Sequence, residues 1–590
     1  MKQMDNKSAE ETDAVTGDPD AVTGDPDVVT GDPEEMTGNP EEESGNSEEE
    51  SGNSEEKSGN SEEANENPEE TKQAILSGKA AESNAETKEK KQVKPIKLWR
   101  IILLLVILFA ATFFWAGTFW ALSSWSSIST DELLWHLKTS LKGANTSMVW
   151  EFVLITVGSA ILATGVAAFL LFWVRIRKSR AAGRRMFRIM QLFTVLVLMT
   201  GLVTAWIGFG VGDFLKNYMD PSAFIEENYV NPQKVKITFP EKKRNLIFIY
   251  LESMEVTYMD KENGGAFPEN VIPELTELAK ENECFAGNSG KINGGIALPG
   301  AIWTMGAVFG TTSGLPLKTP LGQNGMSMNS DFFPGLVTMG DILEGQGYQN
   351  RLLMGSGATF GGCRLYYGSH GNFTIHDYDY AIEVGRIPED YFVWWGYEDA
   401  KLFEYAKEEL TEMAKEGKPF QLAMQTMDTH FEDGHSCWNC RYTFGDNKYA
   451  NVMNCSSRMV SSFVEWVQQQ DFYENTTIII AGDHPTMDKN FCEDVPETYQ
   501  RKTYFCIINP AESVKAGTKE RDYSTFDIYP TTLAALGVSI EGERLGLGTN
   551  LYSGQKTLLE QYGKDKMSLE LEKRSKVMED MFNGEYGTGK

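Results

Sequence analysis

Histidine is scarce in this chain, with six among 590 residues. Beyond the last long apolar run only His370, His376, His430, His435 and His484 remain. A two-metal hydrolase centre calls for more imidazole and carboxylate ligands than this supply offers. Basic residues are also short, with 54 Lys and Arg against 84 Asp and Glu and a formal net charge of -30. Nucleic-acid binding needs a basic face, so that class of partner is excluded. No aromatic residue precedes Trp99 and no cysteine precedes Cys284. A segment without aromatics buries too little apolar surface to offset its chain entropy.

The first ninety or so residues hold Glu, Asp, Gly, Ser, Asn and Pro in a seven-residue repeat. Thr16, Thr23, Thr30 and Thr37 open TGDP or TGNP units, and Ser44, Ser51 and Ser58 open SGNS units. A heptad can mark a coiled coil, but its a and d positions must be apolar. Gly17, Pro19, Gly24 and Pro26 would sit inside the helix. Residues 1–96 are therefore expected to form a disordered acidic tail.

Three apolar runs follow within residues 97–211, at 101–122, 149–174 and 189–211. Each is about twenty residues or more, enough to cross ~30 Å of hydrocarbon as a helix. Lys88, Lys90, Lys91, Lys94, Lys97 and Arg100 precede the first run. Arg175, Arg177, Lys178, Arg180, Arg184, Arg185 and Arg188 lie between the second and third. Basic clusters stay on the cytoplasmic side. The expectation is a multi-pass protein of the cytoplasmic membrane, with its tail in the cytoplasm and everything after about Gly212 outside. Residues 212–243 read as a linker, 244–553 as a catalytic domain and 554–590 as a charged helical tail packed on its exterior.

All seven cysteines fall in the outward part, where disulfides are permitted. The odd count leaves one unpaired in a monomer. Cys437 and Cys440 form a CxxC with no second CxxC at zinc-finger spacing. A loop-closing disulfide involving this pair and Cys455 is expected, with a zinc or redox site as the alternative.

The outward part alternates strand-like and helix-like segments. Short apolar runs at 245–251, 420–426 and 477–481 read as buried parallel strands. Residues 273–282, 400–416 and 456–470 read as helices, and 527–536 as a loop entering another. Such alternation predicts an α/β domain with a mostly parallel sheet between helices. Glu252 directly follows the first strand, Asp428 and His430 the second, and Asp483 and His484 the third. Ligands of open α/β sheets gather at the carboxyl ends of the strands. Glu252, Asp483 and His484 thus form a candidate metal set. Two carboxylates and an imidazole suit Mn²⁺ first, with Mg²⁺ or Zn²⁺ compatible. Thr304 precedes a helix-compatible, glycine-rich run and could face an anion there or act as a plain N-cap.

Five stretches carry a family resemblance: FIYLESME (248–255), WTMGAVFGTTSGLPL (303–317), TMDTHFEDG (426–434), AGDHPTM (481–487) and ERLGLGTNLYS (543–553). They resemble the lipoteichoic acid synthase and phosphoglycerol transferase family of the alkaline phosphatase and sulfatase superfamily. The wording is nearest the branch that decorates periplasmic glucans, and residues 228–245 resemble that family's joining segment. The resemblance implies Glu252, Asp483 and His484 as ligands of one divalent metal, and Thr304 as nucleophile and fourth ligand. It places His430 beside the transferred group. Arg364 and His370, in FGGCRLYYGSHG, are weaker candidates for phosphate contacts. The implied reaction moves glycerol phosphate from phosphatidylglycerol to a glycan or polyglycerol-phosphate acceptor through a phospho-threonine. A formylglycine sulfatase needs a C/S-x-P-x-R motif, and none occurs. The chain departs from lipoteichoic acid synthases in showing three spans where five are expected, and in its acidic repeats. A phosphodiesterase, a phosphoethanolamine-type transferase or a non-catalytic membrane scaffold are the competing readings.

Overall fold

The computed structural model describes residues 94–125, 128–140, 142–320, 332–512 and 519–586. The repeats, read as a disordered tail, lie outside the described residues. Among the described residues, three helices are long and apolar enough to cross a membrane: α1 (Leu98–Ser124), α3 (Thr146–Arg177) and α4 (Arg180–Gly208). They contain the 101–122 and 149–174 runs and most of 189–211, with basic residues between α3 and α4. α1 packs against both α3 and α4. A Cβ on Gly208 would fall 2.3 Å from Leu122 Cδ1, so the bare glycine allows that close approach. Leu154, Phe169 and Leu192 are exposed, as side chains facing lipid would be.

The segment joining α1 to α3 is not a plain loop. It folds as α2 (Thr130–Lys138), capped by Ser129 Oγ, which accepts from Glu132 N at 3.1 Å, with Asp131 and Glu132 in its first turn. Its one large buried side chain, Trp135, stacks edge-on against Phe332 with centroids 5.9 Å apart. Lys138 donates to Pro320 O at 2.8 Å, and Thr130 Oγ1 to Phe209 O at 2.6 Å. The helix thereby joins the membrane segments to the domain that follows.

That domain is built on a seven-stranded sheet. Its strands are β1 (Asn245–Leu251), β2 (Gly294–Gly295), β3 (Gln349–Met354), β4 (Thr374–His376), β5 (Phe420–Gln425), β6 (Thr476–Gly482) and β7 (Thr503–Ile508), in the spatial order β2-β7-β6-β1-β5-β3-β4. The three central pairings, β6-β1, β1-β5 and β5-β3, and the β3-β4 edge are parallel, while β7 pairs antiparallel with both β6 and β2. β1 is buried along its whole length and lies between β5 and β6. Its alternate side chains divide between two cores, as the two-residue period of a strand requires. Leu246, Phe248 and Tyr250 pack with the helix Thr304–Ser313, and Ile247, Ile249 and Leu251 with the helices Pro273–Glu281, Asp399–Lys415 and Lys448–Gln468.

Two flanking segments are tied closely to this domain. The C-terminal helices dock on it through their apolar side chains. Leu558, Leu559, Met567, Leu571, Val577, Met578 and Met581 are buried in the same core as Phe309. The charged residues of its short helices line the outer side and mask an apolar stripe. The 212–243 segment likewise has structure, with helices Val211–Met219 and Phe224–Asn228 and a strand Ile237–Thr238 paired to Ser539–Ile540.

Candidate active site

Three neighbouring strands end at one place. Glu252 follows β1, the 426–430 turn follows β5, and Asp483 and His484 follow β6. The chain after β1 crosses tightly over the end of β6. A Cβ on Gly482 would lie 1.9 Å from Met254 O, so no other residue fits there without backbone movement. Ser253 takes a positive φ of 55° in this crossing, a strained value for a non-glycine residue. Its position is over-determined: Ser253 N donates to Asp483 Oδ1 at 2.8 Å and Ser253 Oγ to Glu252 Oε1 at 2.8 Å.

The candidate donor atoms converge. His484 Nε2 lies 3.5 Å from Glu252 Oε1 and 3.6 Å from Asp483 Oδ2, and one donor atom from each of the three residues fits within 4.8 Å of the others. All three side chains are buried. Asp483 Oδ1 also accepts from His484 N at 2.7 Å, and Oδ2 from Gln425 Nε2 at 3.2 Å. His484 Nδ1 faces Pro485 O at 3.0 Å, and a carbonyl only accepts, so Nδ1 carries the proton and the Nε2 lone pair points into the cluster. Burial pushes the Asp483 carboxyl up to about 7, and the Glu252 charge adds to the push. For His484 burial works against the charged form, but the carboxylates of Asp483 and Glu252 outweigh it and raise its pKa. Buried like charges beside one inward-facing imidazole lone pair are the donor chemistry of a divalent cation, so the residues present fit one.

Thr304 completes the cluster from the opposite side. It is the first residue of the helix Thr304–Ser313, whose N-cap is Trp303 with no side-chain cap bond. Thr304 is therefore not the N-cap. Its Oγ1 lies 3.4 Å from Glu252 Oε2 and 3.4 Å from His484 Nε2. The uncapped first-turn amides and the helix dipole favour an anion beside this hydroxyl.

His430 Nδ1 donates to Phe431 O at 2.5 Å, which leaves Nε2 free to exchange a proton. Its ring sits against Trp395 and Phe431. Burial holds its pKa down to about 4, with the His484 charge adding, so at neutral pH it is an acceptor. Among the other sequence candidates, His370 has both ring nitrogens engaged, with Phe332 O at 2.6 Å and Asp341 Oδ2 at 3.0 Å. Arg364 pairs with Asp377 and is partly exposed. None of these bonds reaches the cluster.

Sequence reasoning missed α2. Glu132 is buried, its Oε2 has no hydrogen-bond partner among the described residues, and its charge acts on His484. Burial pushes the Glu132 carboxyl up to about 7 against the pull of His484 and the Ser129 bond. His136 stacks on Phe360 at 6.1 Å, and burial followed by the charge of His430 brings its pKa down to about 4. A folded-state pKa below the unfolded value of about 6.5 contributes stability that is full above pH 6.5 and is lost as pH falls toward 4. Between pH 7 and pH 5 the wild-type chain should therefore lose about 2 kcal/mol more stability than His136→Phe, which keeps the stack. Thermal melts of both proteins at the two pH values check this, and equal losses would overturn it.

A model of the sulfatase family matches residues 244–538, half of the chain. The chain belongs to the sulfatase family. Within the family, similar relatives include phosphoglycerol transferase I of Xanthomonas campestris pv. campestris (strain B100), 29% identical over 428 residues, covering 71% of this chain and 57% of the relative. Phosphoglycerol transferase I of Escherichia coli O127:H6 is 28% identical over 440 residues, covering 72% and 53%. This sulfatase-family chain thus spans about half the length of these relatives. Similar solved structures include the lipoteichoic acid synthase LtaP from Listeria monocytogenes, with TM-score 0.43, 15% identity and coverage of 56% of this chain and 82% of that one. The lipooligosaccharide phosphoethanolamine transferase A of Neisseria meningitidis has TM-score 0.43 and 14% identity, covering 75% and 85%.

Proposed function

We propose that this chain is a membrane-anchored, metal-dependent phosphoglycerol transferase. It takes glycerol phosphate from phosphatidylglycerol outside the cytoplasmic membrane and passes it to a cell-envelope glycan or polyglycerol-phosphate acceptor. One observation carries the reading: a threonine hydroxyl at an uncapped helix N-terminus sits 3.4 Å from both a carboxylate oxygen and an imidazole nitrogen of a buried donor set. The relatives named phosphoglycerol transferase I support the transferred group. Three membrane-crossing helices joined to the domain through α2 support a lipid donor, because they hold the site beside headgroups at high local concentration.

Glu252, Asp483, His484 and Thr304 would hold the cation, Mn²⁺ by preference. When bound, it supplies charge stabilisation to an alkoxide and to phosphate oxygens. Thr304 Oγ forms a bond to phosphorus as the bond to the diacylglycerol oxygen breaks, and the proton given up by the Thr304 hydroxyl ends on the leaving diacylglycerol oxygen. The first-turn amides of the Thr304–Ser313 helix neutralise charge on the phosphoryl oxygens. In the second step an acceptor hydroxyl attacks phosphorus as the bond to the Thr304 oxygen breaks, and the acceptor's proton passes to His430 Nε2 and from there to the released Thr304 oxygen. Buried Glu132 offers its unpartnered Oε2 to a headgroup hydroxyl. Arg364, partly exposed beside Asp377, stays a candidate contact for the acceptor phosphate.

A phosphoethanolamine headgroup could also meet Glu132, through its ammonium. Purified full-length protein given labelled phosphatidylglycerol or phosphatidylethanolamine with Mn²⁺ separates the two. Diacylglycerol should come from phosphatidylglycerol, and Glu132→Ala should raise KM for that donor about tenfold with bound metal unchanged. Release from phosphatidylethanolamine alone would overturn the donor assignment.

A further inference from the structure

Away from the Glu252 cluster, three cysteines meet at one point. Cys437 Sγ lies 3.9 Å from Cys440 Sγ and 3.8 Å from Cys455 Sγ, and all three sulfurs fit within 4.8 Å of one another. All are free thiols. Cys437 and Cys455 are buried against Ala400 and Met459, and Cys440 is half-buried. In a tetrahedral zinc site with Zn–S bonds of ~2.3 Å, neighbouring sulfurs stand about 3.8 Å apart. Bonded disulfide sulfurs stand ~2.05 Å apart, and a disulfide within this trio would leave the third thiol unpaired.

The backbone supports a metal-binding turn. Cys440 N donates to Cys437 O at 3.1 Å, which folds the CxxC so that both sulfurs meet Cys455. Cys455 lies in the helix Lys448–Gln468. One turn further along, Arg458 Nη2 donates to Asn439 O at 3.0 Å, placing a cation beside the CxxC turn where thiolate charge would gather. This set of soft sulfurs differs in kind from the oxygen and nitrogen donors of the Glu252 cluster, and soft thiolates select zinc over Mn²⁺ or Mg²⁺.

We propose that Cys437, Cys440 and Cys455 bind one zinc ion, distinct from the metal at Glu252, Asp483 and His484. Binding forms three Zn–S bonds, releases the three thiol protons to solvent and leaves one position for water. The ion ties the segment that follows β5, which carries His430, to the helix Lys448–Gln468. This goes beyond the proposed transfer reaction and does not depend on it.

Full-length protein purified from membranes without reductant or chelator tests the assignment. Elemental analysis should find one zinc per chain that a thiol-specific mercurial releases in proportion to three titrated thiols. Cobalt exchanged into that position should give an intense near-ultraviolet thiolate-to-cobalt band, which the oxygen and nitrogen donors at Glu252 cannot produce. Cys455→Ser should lose both the mercurial-released zinc and the band. Because that variant could misfold, the mercurial titration of the wild-type chain stands by itself. A disulfide among the three cysteines in peptide mass analysis would overturn the proposal. So would three free thiols that take up no zinc from micromolar solution.

Discussion

The Thr304→Ala chain should release diacylglycerol from phosphatidylglycerol at least ~10³-fold more slowly than the wild type, with its melting temperature nearly unchanged. The activity loss follows from geometry. Among the described residues, the hydrogen bonds of Thr304 Oγ1 lie within the cluster, at 3.4 Å to Glu252 Oε2 and to His484 Nε2. The small effect on stability follows from the same fact, since no other part of the fold relies on this hydroxyl and Trp303, not Thr304, is the N-cap. Removing a weak, half-buried hydroxyl contact costs about 1 kcal/mol or less. Thr304→Ser keeps a hydroxyl at the helix N-terminus and should retain measurable transfer. Withholding the acceptor should trap the glycerophospho group on the peptide containing residue 304, visible by mass spectrometry. Full activity in the alanine variant would remove Thr304 from the mechanism, and a labelled peptide elsewhere would name its replacement.

The candidate site was legible in sequence where strong local patterns end in polar residues. NLIFIYL is a continuous apolar run between Arg244 and Glu252, and the strand Asn245–Leu251 ends where the charge begins. TTIIIAG, followed by Asp483 and His484, has the same form. β3 lacks such a pattern: its sequence QNRLLM opens with three polar residues. Asn350 is nonetheless buried, because Nδ2 donates to Gly340 O and Gly371 O, a satisfaction that only tertiary structure supplies. α2 was hidden for a similar reason. TDELLWHLK mixes charge and apolar residues over nine positions, as a solvated loop helix would. What places Glu132 and His136 is Trp135 docking on Phe332, a contact across nearly two hundred positions of chain. A tryptophan between two titratable residues in a short loop beside a membrane span was the available signal. Thr304 could be read as a cap or a nucleophile from sequence; its 3.4 Å contacts and the identity of Trp303 as N-cap favour the second. The family resemblance named the same residues from their motifs, and the fold brings their donor atoms together.

Glu252→Gln should separate stability from activity in opposite directions. Without metal, the wild-type chain holds two buried carboxylates beside one imidazole, and burial together with Glu252 drives Asp483 up to about 7. A neutral amide removes that repulsion at little structural cost. The oxygen at the Oε1 position still accepts from Ser253 Oγ, and a nitrogen at the Oε2 position donates to the Thr304 hydroxyl. The metal-free variant should therefore melt above the metal-free wild type, by about 1–2 kcal/mol. Adding Mn²⁺ at a hundred times its Kd should stabilise the wild type by about 3 kcal/mol and the variant hardly at all. Transfer by the variant should fall at least ~10³-fold, because the site loses a charged ligand. A variant that keeps the full metal-dependent rise would show that Glu252 is not a ligand. One that melts lower without metal would show that the attraction between Glu252 and His484 outweighs the repulsion. The predicted combination, a more stable protein that no longer binds Mn²⁺ or turns over, arises only if the buried charge is retained for the cation rather than for the fold.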